Sequence, residues 1–573
     1  MAASASSILI VLQSVLWLLL LLPVNMFYKD VLFNHTCMAI GGVISASLAI
    51  TSILLVKIDK RSLQISITDI LVICYTVYVL LNAYFISPHP VPDIFYLKLL
   101  VVFFIYFSVR LTYRKQRYAG LIIVAVQGVF ETAFILLQYF GLLESKHLLF
   151  NFTGSFFNPG IAGGFIACSL CVLIFFFTEI QGLSKKIVIV SGIILLICAL
   201  ILTDSRAGWL AATIGGCFLL WHSENKQITY VKAKIKKSII LKITLFLIVF
   251  SGLFYVYQYK KASADGRLFI WKICTEMIED KLLTGHGVEM FRGKYPYYQA
   301  HFFEKEPNSG YAMVAGDPSV PFNEYLSVLT SQGILGFAFL IAILLPLLIY
   351  APSSSVLSKQ KAFLITFCVF AFFSYPTSHL RMLVLLPFFI AILPSFNVVS
   401  VNNPKRFLKP MFIILLGVLY YSIQTMQEYS KLESSYKSGE QISEEQYNKI
   451  KYDITLLQNY YTFMADRLNS ADEFTVIKDF VELYPSPNGL CELGRKYKVL
   501  NNFDQAEECF IFAANINPSL ITPNYELFLL YQEYGDTKAM KSVGEKILKQ
   551  PIKKEGTASI KIRTYVKNVL LEL

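Results

Sequence analysis

The residues of this chain with chemistry to offer are arginines and carboxylates set at the ends of hydrophobic runs. In Thr203-Asp204-Ser205-Arg206-Ala207-Gly208-Trp209 a guanidinium stands directly after one apolar run and at the mouth of the next. A charge near the hydrocarbon boundary is costly, and in a membrane protein it marks a functional site by default. It also opposes the positive end of the helix expected to start near Ser205, so something anionic is expected to compensate it. The plainer alternative is a side chain that snorkels to lipid headgroups. Further on, a polar and aromatic loop at 259–322 carries Arg267, Trp271, His286, Lys294, Tyr298, Gln299, His301 and Asp317, and the next apolar run opens with Asn323 and Glu324. A guanidinium fork grips phosphate oxygens through two parallel hydrogen bonds and stays charged at any relevant pH. A carboxylate takes a proton once a partly apolar pocket raises its pKa.

Each of these residues also has an ordinary structural reading. Arg267 would then form a surface ion pair with Asp265 or Glu276, worth little. Asn323 and Glu324 would be the N-cap and first-turn acid of a helix, and Gly285 with Gly287 would make a turn. The chain contains no His-x-His, no His-Glu-x-x-His and no acidic cluster of the kind that holds a divalent ion, so neither a metal nor another cofactor is expected. On a phosphate-bearing ligand the cationic work then falls to Arg206 and Arg267.

The elements that must position these groups are transmembrane helices. Of 573 residues 55% are hydrophobic and only 16% charged, and the mean hydropathy is +0.54, which excludes an ordinary soluble protein. Apolar runs long enough to cross a bilayer fall near 6–26, 37–57, 68–88, 94–112, 118–142, 160–180, 187–203, 206–222, 239–258, 324–350, 361–377, 380–396 and 408–426, about thirteen in all. The short 206–222 run and the pair either side of Pro376 are candidates for re-entrant segments. The fold class is therefore all-α and polytopic. The first run lacks a basic flank and is followed by further spans, so it reads as a transmembrane helix and not a cleaved signal.

Lysine and arginine alternate between the connections. With the N-terminus inside, the inner connections hold groups such as Lys57, Lys60 and Arg61, or Arg114, Lys115 and Arg117, while the short outer ones hold only Lys29, Lys146, Arg206 and Arg381. This positive-inside pattern puts Arg206, the 259–322 loop and the C-terminal tail on the outer face. It also accounts for most of the net charge of +12, and because the cations form no single stripe, nucleic acid is not expected as a partner. The cysteines suggest no disulfide framework, although Cys491 and Cys509 could pair in the tail.

Near residue 427 the composition turns polar and helical, dividing a membrane domain, 1–426, from a soluble one, 427–573. Leu493 and Tyr497 recur thirty-four residues later as Leu527 and Tyr531, and Asn502-Phe503-Asp504 corresponds to Asp536-Thr537-Lys538. This period resembles the tetratricopeptide repeat, with 455–487 as a degenerate third unit. Such a domain is either a packing appendage or a docking surface for a protein partner.

Five segments in order carry a resemblance to a known family. Gly154-Ser155-Phe156-Phe157-Asn158-Pro159 with Gly163-Gly164, Ser205-Arg206-Ala207-Gly208-Trp209, Gly266-Arg267-Leu268 with Trp271, Thr284-Gly285-His286-Gly287, and Phe322-Asn323-Glu324-Tyr325-Leu326 with Gly333 and Gly336 resemble the motifs of the O-antigen ligase superfamily, over about residues 120–400. The resemblance implies a GT-C-like membrane glycosyltransferase. Such an enzyme moves a glycan from undecaprenyl diphosphate to an acceptor hydroxyl, on lipid A-core, at the periplasmic face of the inner membrane, without metal or nucleotide. By motif the diphosphate falls to Arg206 and Arg267, and Lys294, Tyr298 and Gln299 are further substrate contacts. The family places a histidine before the Asn-Glu pair as base, where this chain has Pro321-Phe322. The base then comes from Asp317 or Glu324, beside Asn323, or from His286 or His301. Protein O-oligosaccharyltransferases and Wzy-type polymerases share the donor chemistry, so the acceptor stays open, and a transporter or a membrane-tethered scaffold are the readings outside it.

Overall fold

The computed structural model describes residues 2–22, 33–58, 62–145, 147–224, 229–230, 233–234, 238, 257–350, 354–401, 405–464, 470–553 and 555–572. The chain is an all-α polytopic membrane protein. Among the described residues nine helices are long and apolar enough to cross a bilayer, and two shorter apolar ones, Ser6–Leu21 and Leu380–Ile392, join them. The expected run at 239–258 lies almost wholly outside the described residues. Helices such as Leu183–Leu202 leave Ile187, Val188, Ile194 and Ile201 exposed, as a lipid-facing surface requires.

Three of the expected spans take other forms. Arg206–Trp221 has only 16 residues, roughly 24 Å at 1.5 Å per residue against a hydrocarbon core about 30 Å thick. Its placement depends on small residues: a Cβ on Gly208 would sit 2.8 Å from the Gly163 carbonyl oxygen, so two helix backbones touch where the sequence has glycine in both. The 380–396 run is broken into Leu380–Leu383 and Leu385–Ile392. Ahead of it the chain leaves the Ser355–Phe372 helix and turns through a short 3-10 segment at Pro376–Ser378.

Three charges buried within this domain are paired. Arg381, one of the four cations assigned to outer connections, is instead buried, with its Nη1 donating to the Glu131 carboxylate at 3.0 Å. The Phe156 and Phe165 rings lie 4.5 and 4.6 Å from its guanidinium carbon. Arg110 meets Asp69 at 2.9 Å. Lys359 is buried against Glu179 at 2.6 Å.

The all-α expectation has one small exception. Leu63–Ser66 and Asn397–Val401 form an antiparallel ribbon, which requires the two connections expected on the inner side to lie at one end of the domain. From that ribbon Ile67–Phe85 runs to the other end, where the Asn82 side chain donates to the Thr284 carbonyl at 2.7 Å. The long loop therefore sits opposite the ribbon.

The boundary expected near residue 427 falls inside a single helix, Lys405–Ser438, which leaves the membrane domain without a break. Beyond it come helical hairpins. Pro487–Val499 pairs with Phe503–Ile516, and Ile521–Tyr534 with Thr537–Lys549. Both helices of the second hairpin start thirty-four residues after their counterparts. Leu493 and Leu527 are buried at matching positions, and Met540 is buried where Ala506 sits in the first hairpin. Ile454–Met464 and Ser470–Leu483 precede them as a further pair. Cys491 and Cys509 are free thiols.

Candidate functional site

Ser205 starts the Arg206 helix by accepting from the Gly208 amide at 3.2 Å and donating to the Gly160 carbonyl at 3.1 Å. Asp204, the acid nearest in sequence to Arg206, is in the left-handed region at φ 52° and forms its ion pair with Lys260. Arg206 reaches back over the same residue, its Nη1 lying 3.4 Å from the Lys260 carbonyl oxygen. The helix that carries the second arginine, Lys261–Asp280, follows directly.

Arg267 is held by neutral groups. Its Nη1 donates to the Phe373 carbonyl at 2.9 Å, and the Phe322 ring lies 5.3 Å from its guanidinium carbon. Among the described residues no carboxylate is within ion-pairing distance of it. Asp265, one of the two expected partners, accepts instead from Tyr257 at 2.7 Å. Burial, and then the like charge of nearby Arg206, hold the Arg267 guanidinium below its ordinary pKa. Two cations thus converge from different elements, the arrangement that a bound dianion stabilises.

The 373–379 turn, which sequence reasoning treated only as a break between spans, organises the rest. The Phe373 carbonyl holds Arg267. The Tyr375 ring meets Phe322 edge-on at 5.3 Å, and its hydroxyl accepts from the Asn158 side chain at 2.7 Å. Thr377 donates from its amide and hydroxyl to the same Glu324 oxygen, at 2.9 and 2.6 Å. The available signal was Ser374-Tyr375-Pro376-Thr377-Ser378-His379, a polar run between two apolar ones, where non-helical backbone at membrane depth is tolerated only if protein surrounds it or it lines a cavity.

Phe322 stands where the resemblance places a histidine. It has φ +55°, a conformation costing about 1–3 kcal/mol for a non-glycine residue, and that strain sets its ring between Arg267 and Tyr375. Trp271 fixes the preceding residue by donating to the Pro321 carbonyl at 3.0 Å. Asn323 caps the next helix, its oxygen accepting from the Tyr325 and Leu326 amides at 2.9 and 3.1 Å. Its capping reading is therefore observed, and it directs Glu324 toward Thr377.

The loop motif containing His286 has a structural function. Glu324–Ile349 is interrupted at Gly333, with φ 66° and ψ −168°. Just before this break the Thr330 and Ser331 carbonyls accept from the His286 and Gly287 amides, both at 2.9 Å. The turn expected at Gly285 and Gly287 is a clasp on this broken helix. The His286 ring bonds the Met277 carbonyl at 2.9 Å, and burial pulls its pKa down.

The remaining candidates separate. Asp317 does not join Glu324. It lies against Tyr484 and Arg292 where the C-terminal domain meets the loop, and burial raises its pKa. Gln299 is fully buried, and its amide nitrogen donates to the Gly316 and Ile516 carbonyls at 2.9 and 2.6 Å. Gln299, expected to contact substrate, has its amide nitrogen engaged in tying the loop to the C-terminal domain. Tyr298 donates to Asp280 at 2.6 Å, while Lys294, Tyr298, His286 and His301 line an open cleft.

A polytopic helical membrane protein with two neighbouring arginines, one opening a short apolar helix and one on the long loop, is the class that fold and site define. Residues 191–341 match the family model described as O-antigen ligase, a segment containing Arg206, Arg267, Asn323 and Glu324. Over those residues, about a quarter of the chain, the protein is similar to the O-antigen ligase family. No curated protein matches the chain.

Proposed function

We propose that the protein is an O-antigen ligase-type glycosyltransferase, moving a glycan from undecaprenyl diphosphate to a hydroxyl of lipid A-core at the periplasmic face of the inner membrane. The observation that carries this reading is the convergence of Arg206 and Arg267, with Arg267 held by a carbonyl and a ring instead of an acid. The acceptor oxygen attacks the anomeric carbon of the donor sugar. The bond from that carbon to the diphosphate oxygen breaks, and its electron pair leaves with the diphosphate. The two guanidinium forks take up the growing charge, aided by the amides at the start of the Arg206 helix. The proton of the acceptor hydroxyl passes to the Glu324 carboxylate, whose orientation Thr377 fixes.

Protein O-glycosylation and polymerisation of repeat units share every step but the acceptor. The buried Arg381–Glu131 pair weakens the transporter reading, because a neutralised charge has no load to carry. The test is transfer from purified undecaprenyl-diphosphate donor by the solubilised full chain, with core-lipid A, an exported protein and a second donor molecule as separate acceptors. Product on core-lipid A that disappears in Arg206→Ala is expected. Product on another acceptor alone would move the assignment to the corresponding rival, and undiminished transfer by Arg206→Ala would remove the reading.

A further inference from the structure

Behind Glu324 lies a cavity of about 420 Å³ bounded by both domains. Glu324 and Thr377 form its membrane-domain wall, Arg292 and Lys294 come from the loop, and Tyr452 and Glu482 close it from the C-terminal domain. The size is within the range of small-ligand sites, roughly 300–1,000 Å³.

The C-terminal wall is fixed in place. His35 and Asp453, both buried, meet at 2.8 Å across the junction, Gln299 donates to the Ile516 carbonyl, and Arg292 lies 4.1 Å over the Tyr484 ring. The His89 ring stacks on Tyr452 at 6.0 Å and 23°, holding that aromatic at the cavity edge. A wall tied down by this many contacts belongs to the site and is not a mobile appendage.

The lining chemistry is mixed in a particular way. Cationic Lys294 and Arg292 are matched by anionic Glu482 and Glu324, so no single sign of charge is favoured. Aromatic rings such as Tyr297 and Tyr452 alternate with hydroxyls such as Thr377, Ser327 and Ser331. A ligand bearing hydroxyls, each both donor and acceptor, matches such a lining. A sugar ring adds an apolar face for an aromatic side chain. Through Lys294 and Tyr297 the cavity adjoins the open cleft of about 690 Å³ beside His286 and Tyr298, so a chain of sugars has a path outward.

We infer that this cavity is the acceptor subsite, that it takes the terminal sugar of a saccharide acceptor with a hydroxyl toward Glu324, and that the C-terminal domain selects the acceptor by supplying its outer wall. The inference rests on the ligase reading for its direction of transfer, but the binding it claims is measurable without donor. The probe is core oligosaccharide released from lipopolysaccharide by mild acid, with binding to the full chain followed by saturation-transfer NMR. Tyr452→Ala weakens binding roughly tenfold, as truncation of an aromatic anchor does. Tyr452→Phe restores it, which separates lost stacking from lost folding, and Tyr565→Ala at the far end of the same domain leaves it unchanged. Equal affinity in wild type and Tyr452→Ala, or binding of a serine-rich exported peptide in place of the oligosaccharide, overturns the inference. Saccharide binding that depends on Tyr452 in a protein showing no transfer to any acceptor would sustain the subsite while the ligase reading fell.

Discussion

Arg381 and Arg267 approach the two ends of the same 373–379 turn and are treated in opposite ways. Arg381 is neutralised by Glu131 and covered by two phenylalanine rings. Arg267 is held by a carbonyl and one ring, beside a second arginine. A guanidinium bound to an acid fixes helices together and has little charge left to offer. One bound to neutral groups next to another cation is destabilised until an anion arrives, which is how a phosphate site is kept ready.

Breaking the structural pair should have the largest effect. Arg381→Met leaves Glu131 buried and uncompensated, and should cost about 3–5 kcal/mol. The double variant Arg381→Met/Glu131→Leu should recover most of that, as read from thermal unfolding in detergent. Arg267→Ala should do the reverse. It should lower transfer by about a hundredfold to a thousandfold without lowering the unfolding midpoint, because it removes a cation crowded by Arg206. Arg267→Lys should restore only part of the rate, since an ammonium lacks the planar fork.

A narrower contrast separates the two carboxylates. Glu324→Gln should reduce the transfer rate by roughly a hundredfold, whereas Asp317→Asn, at the domain junction, should leave the rate within about threefold. Similar losses in both would show that the junction and the proton acceptor are not separate. The smallest effect concerns pH. His286 has a folded-state pKa below its unfolded value, so its contribution is present above about pH 6.5 and lost as the pH falls below that. His286→Gln should unfold at a midpoint that changes less between pH 7 and pH 5 than that of wild type.

The membrane class was legible because each span must satisfy its own backbone and show an apolar surface to lipid, and both requirements are written in local runs. The arginine motifs, the capping role of Asn323 and the thirty-four-residue offset were legible for the same reason, since each depends on neighbours in sequence. The burial of Arg381 was not legible, because charge next to an apolar run reads as an exposed connection and its partner is 250 residues away in sequence. The carbonyls that hold the Gln299 amide nitrogen were equally out of view, one of them lying in another domain.

The sequence by itself determined that this is a polytopic helical protein and which arginines stand at the ends of its apolar runs, because hydropathy and side-chain chemistry are local properties. Tertiary structure decided which cations are neutralised, which carboxylate meets Thr377 and which wall the C-terminal domain lends to the cavity. Those outcomes depend on distances between residues far apart in the chain, set by packing that no local pattern encodes.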